Sequence, residues 1–159
     1  MNSRIKVYTD GACSGNQSKE NRGGYAAIIF KSGEEPLKIS GGYQNTTNNR
    51  MELKAVIEAL KRIHLNSPVT VYSDSQYAVN GITEWMPKWI KKGKIEKNGD
   101  LWIELYKIVE EFVDIEFIHV KGHSNNGNNN EADRLARAAC KGSNLLEDIE
   151  KKYKIPKLR

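Results

Sequence analysis

Three β-patterned segments open the chain, and only after them do helical and strand patterns alternate. Arg4 to Asp10 alternates, with Ile5, Val7 and Thr9 on one side and Lys6, Tyr8 and Asp10 on the other, and Asp10-Gly11 reads as the turn that closes it. The apolar run from Tyr25 to Phe30, the breaker Lys31-Ser32-Gly33-Glu34 and a further segment from Leu37 to Tyr43 read as a hairpin. A three-stranded meander is therefore expected first.

A helix follows from about Thr47 or Asn49 to His64, with Leu53, Val56, Ile57, Leu60 and Ile63 on one stripe and Lys54, Glu58, Lys61 and Arg62 opposite. Val69 to Asp74 reads as a fourth strand, and Ser75 can cap a helix to about Trp85. Asp100 is expected to cap a helix to Phe112, before a fifth strand from Val113 to Val120 and a last helix from Glu131 to Cys140. Strands separated by helices need crossover connections. The expected class is α/β, a five-stranded mixed sheet (the meander plus two strands) flanked by helices.

At 159 residues the chain fits one domain. Its only biased stretch, Asn125 to Asn130, reads as a polar loop. No apolar run approaches the roughly 18 residues that span a bilayer, and the strand pattern starts too early for a secretory signal. Two cysteines, Cys13 and Cys140, are too few for a disulfide framework and read as reduced thiols. A cytoplasmic location is expected. The net charge of +5 favours a polyanionic partner only weakly. More telling is KWIKKGKIEK, residues 88–97, which sets five lysines against one Glu beside Trp85 and Trp89.

Four acids carry the chemistry. Asp10 and Asp74 end strands, and ligands bind at the carboxyl ends of strands in α/β sheets. If those strands are parallel neighbours, the two carboxylates lie close together. Glu52 sits on the shoulder of its helix's apolar stripe, and Asp133 borders the packing side formed by Ala132, Leu135, Ala136 and Ala139. Singly, an Asp before Gly is a turn residue and an Asp before Ser a cap. Together, converging carboxylates repel unless cations relieve them, and all-oxygen ligation selects Mg²⁺ or Mn²⁺. Two such ions about 3.5–4 Å apart suit phosphodiester hydrolysis.

The segments YTDGACSGN (8–16), TTNNRMEL (46–53), SDSQYAVNGI (73–82), VKGH (120–123) and NEADRLA (130–136) occur in this order over nearly the whole chain. In these motifs the sequence resembles type 1 ribonuclease H of the bacterial ribonuclease HI kind. The resemblance implies a ribonuclease H-like fold and endonucleolytic, Mg²⁺- or Mn²⁺-dependent cutting of the RNA strand of RNA/DNA hybrids, leaving 5′-phosphate and 3′-hydroxyl ends. Asp10, Glu52, Asp74 and Asp133 match the family's metal-binding acids, and His123 its loop histidine, which moves protons or helps release product. Cys13, Asn16 and Gln76 match its contacts to the RNA strand, where 2′-hydroxyls distinguish RNA from DNA. Thr47, beside Asn48 in the same motif, and Asn98 match a pocket for a DNA-strand phosphate. Trp85 and Trp89 match aromatics of the DNA channel, although their spacing alone reads as core packing. His64 and His119 match nothing functional.

Two departures stand out. The basic protrusion is a shortened WIKKGKIEKN, in which Lys91, Lys92 and Lys94 are the candidate phosphate contacts, and Asn45 stands where relatives commonly carry Arg. The catalytic domain is expected over residues 1–142, with a charged extension over 143–159. The expected partner is a hybrid duplex acted on by a monomer. Other readings stay open: an integrase-like or exonuclease-like nuclease on the same fold, a hybrid-binding module that does not cut, or a lysine-rich RNA-binding protein. The first lacks the NNRMEL helix and the KGH loop, the second leaves four acids idle, and the third leaves them unexplained.

Overall fold

The computed structural model describes residues 3–14, 21–121 and 127–156. Strands β1 (Ile5–Ser14), β2 (Arg22–Phe30) and β3 (Leu37–Gln44) form an antiparallel meander. Helix α1 (Asn48–Leu60) then crosses to β4 (Val69–Ser73), which lies parallel to β1. Helix α2 (Gln76–Asn80), a π-helical turn Gly81–Trp85 and helix α3 (Met86–Lys92) follow as one rod. Helix α4 (Gly99–Glu111) leads to β5 (Ile115–His119), parallel to β4, and α5 (Gly127–Cys140) comes after it.

The sheet has six strands rather than the five expected, in the order β5-β4-β1-β2-β3-β6. The sixth, β6 (Leu146–Glu147), is only two residues long and pairs parallel with β3. A strand that short in a charged segment shows no alternation. Sequence reading could not have found it.

The main core lies between the sheet and α1, α4 and the α2–α3 rod. Val7, Ala27, Ile29, Val69 and Val71 meet Leu53, Val56, Leu60, Trp102 and Leu105 there. Helix α5 covers the other face. It lies so close that a Cβ on Gly24 would sit 2.2 Å from the Ala136 carbonyl oxygen. With both faces covered, Tyr8 and Asp10 are as buried as their strand neighbours. Tyr8 stacks on Tyr72 with ring centroids 4.8 Å apart.

Four local expectations are corrected. Of the stretch from Asn125 to Asn130 read as a polar loop, Gly127 to Asn130 open helix α5, where Asn129 is buried. Asp10-Gly11 does not turn the chain, because β1 runs on to Ser14. Gly11 is a strand residue whose missing side chain admits α1: a Cβ there would lie 2.4 Å from the Glu52 backbone nitrogen. Asp100 does not cap α4. Asn98 holds that position with φ 59°, and Asp100 lies in the first turn, where its charge suits the helix dipole. Finally, the helix that opens at Gln76 does not stop at Trp85 but continues through the π-helical turn to Lys92. The small Gly81 lets Trp102 pack there, since a Cβ would meet its ring at 2.0 Å.

Candidate active site

The parallel pairing of β1, β4 and β5 brings Thr9, Ser73 and His119 into line, so Asp10, in mid-strand on β1, lies beside Asp74, which follows the last residue of β4. Helix α1 supplies the third acid. Thr47 caps it, its hydroxyl accepting from the Arg50 backbone N–H at 3.2 Å, and the apolar stripe seats it on the sheet. Glu52 is thereby driven against β1, where the Gly11 N–H donates to its Oε1 at 2.7 Å and to Asp10 Oδ1 at 3.0 Å.

Asp10, Glu52 and Asp74 each offer one oxygen within 4.8 Å of the others, as a group that could hold a metal ion. Asp10 and Glu52 are buried and Asp74 half-buried. Among the described residues, Asp10 Oδ2 and Glu52 Oε2 are buried and accept no hydrogen bond. Such orphaned anionic oxygens are costly without a cation or a proton. Burial, then the Glu52 charge, holds the Asp10 carboxyl far above the usual carboxylate range. Burial also raises Glu52, against the opposing effect of the hydrogen bond it accepts from the Gly11 N–H. Without metal, the pair retains a proton that ordinary surface acids have lost. The donor set is all oxygen and strongly anionic, which fits a hard divalent cation.

Asp133 stands slightly apart. Its charge acts on Glu52 and its side chain on Asp10, but its own carboxylate pairs with Arg137 one helical turn along at 3.1 Å. His119, read from sequence as structural, has Nε2 3.1 Å from the Asp74 carbonyl oxygen and so touches the backbone that carries a site acid.

The remaining candidates surround this centre. Cys13, Asn48 and Asp133 line one groove beside Gly11. Gln76 is exposed at the start of α2. Trp85 is half-buried, as is Trp89, with ring centroids 5.8 Å apart, and Trp89 packs edge-on against buried Trp102. Each therefore has a packing role and an open edge. Lys91, Lys92 and Lys94 are exposed around the left-handed Gly93, and the loop is pinned by buried Ile95. Thr47 and Asn98 share a second groove with Asn45 and Lys97. Asn16 and His123 lie outside the described residues. Both cysteines are free, and the Cys140 thiol donates to the Ala136 carbonyl at 3.4 Å.

Sequence reasoning missed the polar cluster under that second groove. Arg50 is bound by Asp100 and by Asp148, both at 2.8 Å. Burial works against the Arg50 charge, yet the two acids more than offset it and hold the guanidinium above its ordinary pKa. No local pattern signals a cluster whose members lie so far apart in sequence.

A family profile described as RNase H matches residues 2–141. The chain is 45% identical over 144 residues to a ribonuclease H of Thermoanaerobacter sp. strain X514, covering 86% of this chain and 90% of that one. It is 44% identical over 154 residues to a ribonuclease H of Aeromonas salmonicida, covering 93% and 97%. Among solved structures it is similar to LC9-RNase H1, described as a type 1 RNase H with the type 2 active-site motif. The TM-score is 0.74 and the identity 30%, covering 88% of this chain and 73% of that one. RNase H1 of Halobacterium salinarum shares the fold, with a TM-score of 0.63. A profile that spans nearly the whole chain, relatives this similar end to end and a matching fold make one statement: the chain belongs to the RNase H family, among its bacterial type 1 enzymes.

Proposed function

We propose that this nuclease hydrolyses the RNA strand of RNA/DNA hybrids endonucleolytically, with two Mg²⁺ ions, replaceable by Mn²⁺, held by Asp10, Glu52, Asp74 and Asp133. The observation that carries the reading is the convergence of three carboxylates within 4.8 Å, two of them with orphaned buried oxygens. When bound, the ions supply an activated water and neutralise charge on the leaving oxygen.

The chain's own groups do the rest. Gly11 N–H holds the Glu52 carboxylate in place. Burial of Asp10 and Glu52 keeps water from screening them, so the site's anionic field is strong where a cation and a phosphate must meet. Cys13, Asn16 and Gln76 contact the RNA strand, and Asn48 contacts the substrate beside Thr47. Thr47 and Asn98 take a DNA-strand phosphate, Trp85 and Trp89 the deoxyriboses, and Lys91, Lys92 and Lys94 further phosphates. His123 serves as proton carrier, a role suited to a group that titrates near neutral pH. Products carry 5′-phosphate and 3′-hydroxyl ends. In this reading residues 1–142 form the catalytic domain with 143–159 as an extension, and the enzyme works as a cytoplasmic monomer.

Labelled RNA/DNA hybrid, double-stranded RNA and single-stranded RNA, each with Mg²⁺, Mn²⁺ or chelator, test this directly. The hybrid's RNA strand alone is expected to be cut, and chelator to stop cutting. Asp10→Asn is expected to abolish cleavage while leaving hybrid binding largely intact. Equal cutting of double-stranded RNA, or cutting that survives chelation, removes the assignment.

A further inference from the structure

The C-terminal extension carries one side chain that behaves unlike its neighbours. Glu147, Ile149 and Glu150 are exposed, whereas the Asp148 side chain is only 1% exposed. Its carboxylate accepts from Thr46 Oγ1 at 2.6 Å, from Arg50 Nε at 2.8 Å and from Arg50 Nη2 at 3.2 Å, with Lys54 Nζ 3.6 Å away. Burial of a carboxylate is unfavourable by itself, yet these donors hold Asp148 below the usual carboxylate range. The segment around it is fixed as well. Strand β6 pairs with β3, Glu147 accepts from Gln44 and Asn45, and the Lys151 N–H donates to Asp100 at 3.1 Å.

Asp148 acts on the groove above it through Arg50. The guanidinium spends its Nη1 donors on Asp100 at 3.0 Å and on Asn98 Oδ1 at 3.2 Å, and its Nη2 donors on Asp100 and Asp148. With Nε on Asp148, every N–H of the Arg50 side chain has an acceptor. The bond to Asn98 decides which way that amide faces. Its oxygen is turned to Arg50 and its nitrogen toward Tyr77, whose hydroxyl accepts from it at 3.0 Å. With its C=O engaged by Arg50 and its N–H by Tyr77, the Asn98 amide lines the groove beside Thr47 in one fixed orientation, on a left-handed backbone with φ 59°. Thr46, the residue next to Thr47, is held by the same Asp148 carboxylate. The charges of Arg50, Lys54, Asp100 and Asp148 cancel, and Lys97 at the groove is set against Glu96 and Glu150, so an oriented amide and hydroxyl, not a net positive charge, are what the groove offers an anion.

We infer that Asp148, on the C-terminal extension, is the positioning residue of the Thr47–Asn98 phosphate groove: it fixes Thr46 directly and Asn98 through Arg50. This rests on the reading above that the groove takes a phosphate of the DNA strand. Without the Asp148 carboxylate, two Arg50 N–H groups are left without an acceptor, the guanidinium swings, and the Asn98 amide is free to flip its oxygen toward the phosphate.

The test pairs Asp148→Asn with hybrids whose DNA strand carries one neutral methylphosphonate, placed at each position in turn. With wild type, one placement is expected to raise KM about ten-fold, or ~1.4 kcal/mol. Asp148→Asn is expected to raise KM for the unmodified hybrid by about the same factor, by more than it lowers kcat. At the sensitive placement the variant should then show almost no further rise, because the groove no longer grips that phosphate. A generally loosened protein would instead keep that step and lower kcat alongside. Thr46→Val, which removes only the hydroxyl that donates to Asp148, gives the same readout should Asp148→Asn not fold. A full methylphosphonate step in the variants overturns the inference while leaving the groove intact. Absence of any step in wild type overturns the groove, and this inference with it.

Discussion

Gly11 shows how much of the site depends on a side chain that is missing. Its position on β1 faces α1, so the helix can approach until Glu52 reaches the Gly11 N–H at 2.7 Å. A Cβ there meets backbone atoms of Met51 and Glu52 at 2.6 and 2.4 Å, which no side-chain rotation can relieve. Gly11→Ala must therefore push α1 outward and carry Glu52 away from Asp10. Overpacking of this kind costs about 1–3 kcal/mol. For a chain this size that is a fall in Tm of roughly 2–10 °C. Cleavage should fall further than stability does, at least ten-fold in kcat under conditions where the variant is fully folded. Melting curves with single-turnover rates check both, and an unchanged rate would mean that the Glu52–Gly11 hydrogen bond does not set the metal geometry.

At the scale of elements, the rod from Gln76 to Lys92 joins an aromatic base to a cationic tip. Tyr77, Trp85, Trp89 and Trp102 pack ring against ring along it, and Trp102 Nε1 donates to the Tyr77 hydroxyl at 2.9 Å. The π-helical turn holds one more residue than an α-helical turn would, and this phase shift keeps both Trp85 and Trp89 against the cluster. Beyond it, Lys91, Lys92 and Lys94 are exposed and make no ion pair among the described residues. Replacing all three with Ala should thus leave Tm within a few degrees, since exposed substitutions change stability little. It should raise KM for hybrid and reduce the slope of log KM against log salt by up to ~0.7–0.9 for each phosphate that the variant no longer neutralises. An unchanged slope across a salt titration would show that the cluster does not meet the substrate.

Across the whole molecule, what could be read from sequence was whatever local periodicity encodes. Strand alternation put Asp10 and Asp74 at strand ends and the α1 stripe put Glu52 on its shoulder; the structure brings those three together, with Asp10 in mid-strand. Gly11 reads as part of a turn because Asp-Gly is locally a turn signal, and only the approach of α1 gives it another purpose. Strand β6 and the Arg50 cluster stayed hidden because they join residues far apart in sequence; Arg50 is separated by 50 positions from Asp100 and by 98 from Asp148. These same buried acids make stability depend on pH in opposing ways. Asp100 and Asp148 lie below their ordinary values, so their contribution is present above the usual carboxylate range and lost in acid. Asp10 and Glu52 lie above theirs, so the folded protein binds their protons more tightly than the unfolded chain does. That contribution is complete below the ordinary carboxylate pKa and drains away as pH rises through their raised values. Between pH of about 5 and 8 only the second pair still titrates, and metal-free Tm should fall across that window. Asp10→Asn puts a neutral side chain where the buried acid must otherwise take up a proton, and should raise metal-free Tm at neutral pH by several degrees while flattening the fall. Saturating Mg²⁺ should restore wild type by favouring the deprotonated acids, and its effect should grow with pH. Melting in chelator and in Mg²⁺ at stepped pH measures all three. A metal-free Tm that climbs from pH 5 to 8, or an Asp10→Asn variant no more stable than wild type, would show that burial does not hold protons on Asp10 and Glu52.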